Sequence, residues 1–300
     1  MSVVLMYHGV YPDSDSSSID AEDLPYAVSL SEFTHQLDLL TERNVGLYGS
    51  GSGRSPDVVI TFDDGHVSNL RLAAPKLVER NLAAYFFITS DFIGQRRHFM
   101  SADELAALSN LPDLCIGSHG KTHRFFDDMS SEESLHELIE SRQTLENLCQ
   151  SACRSISFPG GRFSPETLRQ LTKAGYSQWF GSDIGLVEAQ RWQKRNDLEN
   201  AACNASAGEP INEDPSRGLV KLGDSGLKDR WFLNAQSGFT PLERIAVRRN
   251  TRREEFRRMI AQEPAYFRRQ RLNGQVKHLV RRVIGNRLYH GLYKSFASSQ

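Results

Sequence analysis

The chain contains no apolar run approaching the roughly 20 residues that a membrane-spanning helix needs. Its opening, Met1 to Val10, reads as a strand and shows neither a basic n-region nor a cleavage site, so a cytoplasmic location is expected. Cysteine is scarce: Cys115, Cys149, Cys153 and Cys203 are too few to staple 300 residues and suit a reducing compartment. Cys149 and Cys153 stand at i, i+4, but no other Cys/His pair at zinc-finger spacing accompanies them, and they read as thiols beside a core. Net charge is nearly absent as well, at −1; the body is acidic and no recognition motif accompanies the basic residues, so no nucleic-acid partner is expected.

That near-zero charge is unevenly spread. From residue 241 onward there are 15 Lys+Arg against 4 Asp+Glu, leaving 21 against 33 before it. In the last stretch Val276, Leu279, Val280, Val283 and Leu288 recur at helical spacing with Lys277, Arg281, Arg282 and Arg287 between them. Such a basic amphipathic helix is able to lie on an anionic membrane, here as a peripheral contact at its inner face. Packing on the body with a solvated charged side is the alternative.

A hydrophobic content of 39% is sufficient to bury a core, and the length allows one large barrel-type domain or two ordinary ones. Ser2 to His8 is an apolar run ending in a histidine and bounded by Gly9 and Pro12. Phe33, Leu37 and Leu40 line one face of a helix starting near Ser29. Val58 to Phe62 is a second buried strand, with a helix over Leu70 to Asn81 after it. Strand then helix recurs at Ala83–Thr89 with a helix from Ser101, at Leu114–Gly117 with one over Ser130–Cys149, and at Ser155–Phe158 with one over Pro165–Ala174. Serial βα units favour a parallel sheet, either a closed barrel or a doubly wound one. In a barrel of this kind chemistry gathers at the C-terminal strand ends.

Two motifs fall there. Thr61-Phe-Asp-Asp-Gly65 sets two carboxylates side by side after a strand, where one can bind a cation while its neighbour stays a base. Asp-Asp-Gly is also ordinary turn chemistry. His119-Gly-Lys-Thr-His123 carries two imidazoles at a spacing expected to bring both rings to one side of a helical turn; singly, each histidine is more often a surface or core residue. Two imidazoles with one carboxylate leave coordination positions open, as in catalytic zinc sites.

With its Thr-Phe-Asp-Asp-Gly at 61–65, the sequence resembles the polysaccharide deacetylase family, the NodB-homology group. The resemblance spans roughly residues 1–185 and 240–262, where Gly238 to Val247 looks like the closing strand. It implies an α/β fold, a distorted (β/α) barrel of about seven strands. It implies Asp63 as catalytic base, and Asp64, His119 and His123 as ligands of a divalent metal, with zinc expected. The family's orienting arginine is missing from Ser157-Phe-Pro-Gly-Gly161, leaving Arg162 or Arg154 as substitutes, and Gly120 replaces a hydroxyl residue whose hydrogen bond falls to Ser118 or Thr122. The family's late Leu-x-x-His motif appears instead as Leu5-Met-Tyr-His8, as in circularly permuted members, which makes His8 the expected general acid. A buried histidine bonding to backbone carbonyls is the alternative.

The expected chemistry is amide hydrolysis. The cation lowers the pKa of water to about 7, Asp63 removes a proton, and a backbone N–H of the Pro159-Gly160-Gly161 turn, with Arg162 beside it, faces the oxyanion or substrate. The expected partner is an N-acetylated amino-sugar polymer of an exopolysaccharide or cell envelope. Removal of a formyl or acetyl group from a small or lipid-linked sugar, cleavage of another amide, and non-catalytic glycan binding are the competing readings. The expected plan is a deacetylase domain over residues 1–262, with an irregular insertion at about 188–230, and a basic amphipathic tail over 263–300.

Overall fold

The computed structural model describes residues 1–47, 55–188 and 240–273. Most of the 188–230 insertion, Cys203 and the amphipathic pattern from Val276 onward therefore lie outside the described residues.

Seven strands make one parallel sheet: β1 (Val3–Tyr7), β4 (Val58–Phe62), β5 (Ala84–Ile88), β6 (Leu114–Ser118), β7 (Ser155–Ser157), β8 (Gln178–Phe180) and β9 (Ile245–Ala246). Their order is β8-β7-β6-β5-β4-β1-β9, so the first strand sits between β4 and the last. A parallel bridge from Phe180 to Leu242, flanked by Gly181 N–H to Leu242 O and Leu242 N–H to Trp179 O at 2.9 Å each, ties β8 to the residues leading into β9. The sheet thus curls round into the expected distorted barrel. A two-stranded flap, β2 (Val10–Tyr11) with β3 (Val28–Ser29), stands just beyond β1.

Both faces of the sheet are covered, which explains why β1, β4 and β5 are apolar at nearly every position and buried throughout. Alternate residues divide the two faces. Val3, Leu5, Tyr7, Ile60, Phe62, Phe86 and Ile88 point outward into the main core. That core is completed by α1 (Leu30–Leu40), α2 (Ala74–Val78), α3 (Ala102–Ser109), α4 (Ser131–Cys149), α5 (Pro165–Leu171) and α6 (Arg253–Ile260). Val4, Val59, Tyr85, Phe87, Phe180 and Leu242 form a separate cluster inside the barrel. Each such side chain stabilises the fold by about 1.5–3 kcal/mol, so a one-residue slip in any strand would exchange the two sets at prohibitive cost.

The helices start where the sequence signals them. Ser29, Ser101, Ser130 and Ser164 each accept the N–H three residues on, and Glu104 and Glu133 complete reciprocal caps. Each cap is worth about 1 kcal/mol. The helix expected over Leu70–Asn81 opens as a π turn at Asn69–Ala73 and is α-helical only to Val78; Pro75, which has no N–H to donate, sits at the change. Phe267, in the segment expected as a tail, is buried in the main core. No helix among the described residues is long and apolar enough to cross a membrane. Cys149 and Cys153 are free thiols.

Candidate active site

The C-terminal strand ends gather the expected residues at one mouth. After β4 the backbone turns sharply: Asp64 has φ 76° and Gly65 φ 93°, where a Cβ would lie 3.1 Å from the Ile88 side chain. The turn splits the two carboxylates. Asp63 keeps the inward register of Thr61 and drops into the barrel, while Asp64 is aimed across the mouth towards β6.

There Asp64 Oδ1 lies 3.2 Å from both His119 Nε2 and His123 Nε2. The rings are 5.2 Å apart. They do not share a helical turn, which corrects the expectation from their spacing: His119 directly follows β6, and His123 lies in a loop with φ 64° after Gly120 at φ 79°. The loop is held by Glu137 of α4, whose Oε1 accepts from Lys121 N–H at 2.9 Å and from Thr122 N–H and Oγ1 at 2.5 and 2.8 Å. Ser118 Oγ accepts the Gly120 N–H at 3.0 Å, so Ser118 and Thr122 both supply support that a hydroxyl at position 120 would give. His119 Nδ1 is 2.9 Å from Ser157 O, a carbonyl that can only accept. The proton is thereby fixed on Nδ1 and the Nε2 lone pair is turned to the mouth.

This trio suits a divalent cation. Its three atoms lie within 4.8 Å of one another, and Asp64 Oδ1 is buried with no hydrogen-bond donor. An ionised oxygen left so is costly, and a cation held by these three groups would relieve it. Burial raises the Asp64 pKa, but the imidazoles around it outweigh that and hold it well below the carboxylate range. Burial likewise opposes the charged form of His123, and the Asp64 carboxylate reverses the balance and raises its pKa.

Beneath the trio, Arg244 grips Asp63. Nη1 donates to Oδ1 and Nη2 to Oδ2, both at 2.7 Å, from a guanidinium that is itself 1% exposed. Nη2 also donates to Ser157 Oγ at 2.7 Å, and Ser157 Oγ donates to Asp63 Oδ2 at 3.2 Å. Burial raises the Asp63 pKa, yet Arg244 and His119 prevail and lower it. The orienting arginine therefore comes from the residues entering β9 and not from Arg162 or Arg154, correcting both expectations. Arg162 pairs with Asp127 and Asp128 at 2.9 and 2.7 Å and lies 4.4 Å over the Phe125 ring. Arg154 precedes β7, at the other end of the barrel. The one sequence signal for Arg244 was a charge at an inward position of a closing strand.

His8, at the end of β1, also reaches the mouth, its Nε2 3.9 Å from Asp64 Oδ2 and its ring 4.7 Å from that of Tyr26. Burial lowers its pKa more than the nearby carboxylates raise it. The Pro159–Gly161 turn follows β7, with Gly160 and Gly161 at φ 60° and 67°. Pro159 has no N–H and Gly161 N–H donates to Phe158 O at 2.8 Å, so Gly160 is the remaining donor of that turn.

Fold and site together define an α/β barrel with an acid–imidazole constellation at the catalytic end of its strands. Residues 50–179, less than half of the chain, match the polysaccharide deacetylase family. It is 24% identical over 184 residues to YxkH of Bacillus subtilis (strain 168), a candidate polysaccharide deacetylase, covering 61% of this chain and 65% of that relative's length. Among solved structures, the Streptococcus pyogenes deacetylase PplD in complex with acetate superposes with a TM-score of 0.62 at 17% identity, covering 86% of this chain and 97% of that one. BC0361, a polysaccharide deacetylase from Bacillus cereus, gives 0.60 at 18% identity over 86% of this chain and 68% of its own. At such identities the structural matches speak to the fold alone.

Proposed function

We propose that the protein is a metal-dependent N-deacetylase of N-acetylated amino-sugar polysaccharides or oligosaccharides, acting in the making of an exopolysaccharide or cell-envelope glycan. The observation that carries this reading is the convergence of Asp64, His119 and His123 on one point beside an Asp63 held by Arg244. One carboxylate and two imidazoles suit zinc, which when bound supplies a Lewis acid for the acetyl carbonyl and lowers the pKa of water to about 7.

The chain's own groups account for the remaining steps. Asp63 stays ionised through the neutral range and accepts the proton of the attacking water, its Oδ2 lying 4.0 Å from His119 Nε2 and so facing the same space. Arg244 and Ser157 leave that carboxylate one orientation, which removes a reorganisation cost at the moment of attack. As negative charge collects on the acetyl oxygen, the Gly160 N–H is the donor assigned to meet it; loss of one such bond costs about 3 kcal/mol. The amine departs with a proton from His8. Burial makes its imidazolium the stronger acid, which favours passing the proton on.

The test is elemental analysis of protein purified without chelators, followed by assay of acetate release from N-acetylglucosamine oligomers. One equivalent of metal and steady acetate release support the reading. Formate release from a formylated sugar in place of acetate, or binding without turnover, overturns it.

A further inference from the structure

Arg248 occupies a position that the proposed chemistry leaves unused. It follows β9 in the inward register of Arg244, whereas Ile245 and Val247 belong to the outer core, so it emerges at the mouth on the side of His8. Its backbone is locked by a reciprocal turn: Arg248 N–H donates to Thr251 Oγ1 at 2.8 Å and Thr251 N–H to Arg248 O at 2.9 Å. Arg249 N–H donates to Pro25 O at 3.1 Å, pinning this turn to the loop that carries Tyr26. The Arg248 guanidinium lies 5.2 Å over the Tyr26 ring, and the same ring contacts His8 at 4.7 Å. The charge is thus within about 10 Å of the expected proton donor.

Two other arginines of this end of the barrel are engaged by carboxylates. Arg96 gathers Asp20, Glu22 and Asp23, and Arg244 grips Asp63. Arg248 makes no ion pair among the described residues; its side chain has only the tyrosine face. A guanidinium stacked on an aromatic ring keeps its edge N–H groups free, and that planar fork matches a carboxylate or phosphate in two parallel hydrogen bonds. A half-buried cation on a fixed backbone, with no ion-pair partner among the described residues and within about 10 Å of the expected proton donor, suits an anion-recognising subsite.

We propose that Arg248, backed by Tyr26, binds an anionic substituent of the N-acetylated sugar, a carboxylate or a phosphate, so that the protein selects charged over neutral amino sugars. This rests on the deacetylase reading above.

Three probes test it on the full-length, metal-loaded protein: neutral N,N′-diacetylchitobiose, an N-acetylhexosamine bearing a carboxyethyl ether, and an N-acetylhexosamine 1-phosphate. Dissociation constants come from NMR titration and kcat and KM from acetate release, for the wild type and Arg248→Gln. The wild type is expected to bind at least one anionic probe about tenfold more tightly than the neutral one, with a preference that shrinks as salt rises. In Arg248→Gln that preference vanishes through KM, with kcat and affinity for the neutral sugar unchanged. Tighter binding of one anionic probe alone identifies carboxylate or phosphate as the source. Equal affinities in the wild type, or a preference that survives Arg248→Gln, overturn the proposal; the wild-type comparison decides even if the variant fails to fold. Acetate release without anionic preference sinks the subsite alone, anionic preference without acetate release sinks the deacetylase reading alone, and binding of no probe sinks both.

Discussion

Arg244 and Asp63, 181 residues apart in the chain, meet inside the barrel as a two-pronged ion pair with both bonds at 2.7 Å. Neither is tolerable there alone, since a buried charge without its partner costs several kcal/mol. Arg244→Ala is therefore expected to destabilise the protein by about 3–5 kcal/mol, read as a lowered Tm. Arg244→Lys keeps the charge but not the fork; it should retain metal and lose about a hundredfold in kcat through misplacement of Asp63. Wild-type kcat in Arg244→Lys would show that Asp63 needs no such orientation.

Metal content and turnover should separate at adjacent carboxylates. Asp64→Ala, His119→Ala and His123→Ala are expected to abolish both, because each removes one of three converging ligands. Asp63→Asn should keep near-stoichiometric metal and lose turnover by about a hundredfold or more. Elemental analysis beside acetate release checks this, and stoichiometric metal in His119→Ala contradicts the ligand assignment.

For His8 the expectation is a change in rate without a change in metal. His8→Ala should lower kcat by about 10²–10⁴-fold, the usual worth of a positioned proton donor. Unchanged kcat would mean that the ring against Tyr26 is only a packing element.

Asp23 gives a pH signature that does not involve turnover. Burial, with the Asp64 charge adding to it, raises its pKa from 3.8 to about 6 even though Arg96 works the other way. A carboxyl whose folded pKa lies above its unfolded value adds stability below about pH 4 and loses it as pH rises through about 6. Asp23→Asn removes that loss. It should be about 1–2 kcal/mol more stable than the wild type at pH 8, a figure already reduced for the group's partial exposure, and gain little at pH 4. Arg96 keeps Asp20 and Glu22 as partners in the variant. Denaturant melts at the two pH values provide the comparison, and a gain that is the same at both is the contrary result.

Much of the fold was legible locally. Apolar runs such as Val58–Phe62, serine caps such as Ser101 and Ser130 with Glu three positions on, and the Asp-Asp-Gly turn are set by residues within a few positions of one another. The residues of the candidate site were readable for the same reason, since Asp63 and Asp64 follow β4 and His119 and His123 follow β6. Its construction was not. Glu137 reaches the His119–His123 loop from 15 and 16 residues away, and spacing suggested a helical turn where two left-handed residues make a loop.

The sequence by itself determined the serial strand–helix units, the strand ends that carry carboxylates and imidazoles, and hence the chemistry proposed for the mouth. Only the tertiary structure decided which arginine serves Asp63, that His8 enters the same pocket, and that Arg248 stands near it with no ion-pair partner among the described residues. Propensity, capping and turn chemistry act along the chain, whereas curling the sheet until Phe180 meets Leu242 brings its two edge strands, β8 and β9, together. A charge buried inside a closed barrel takes whichever partner the closure delivers, and no local pattern encodes that choice.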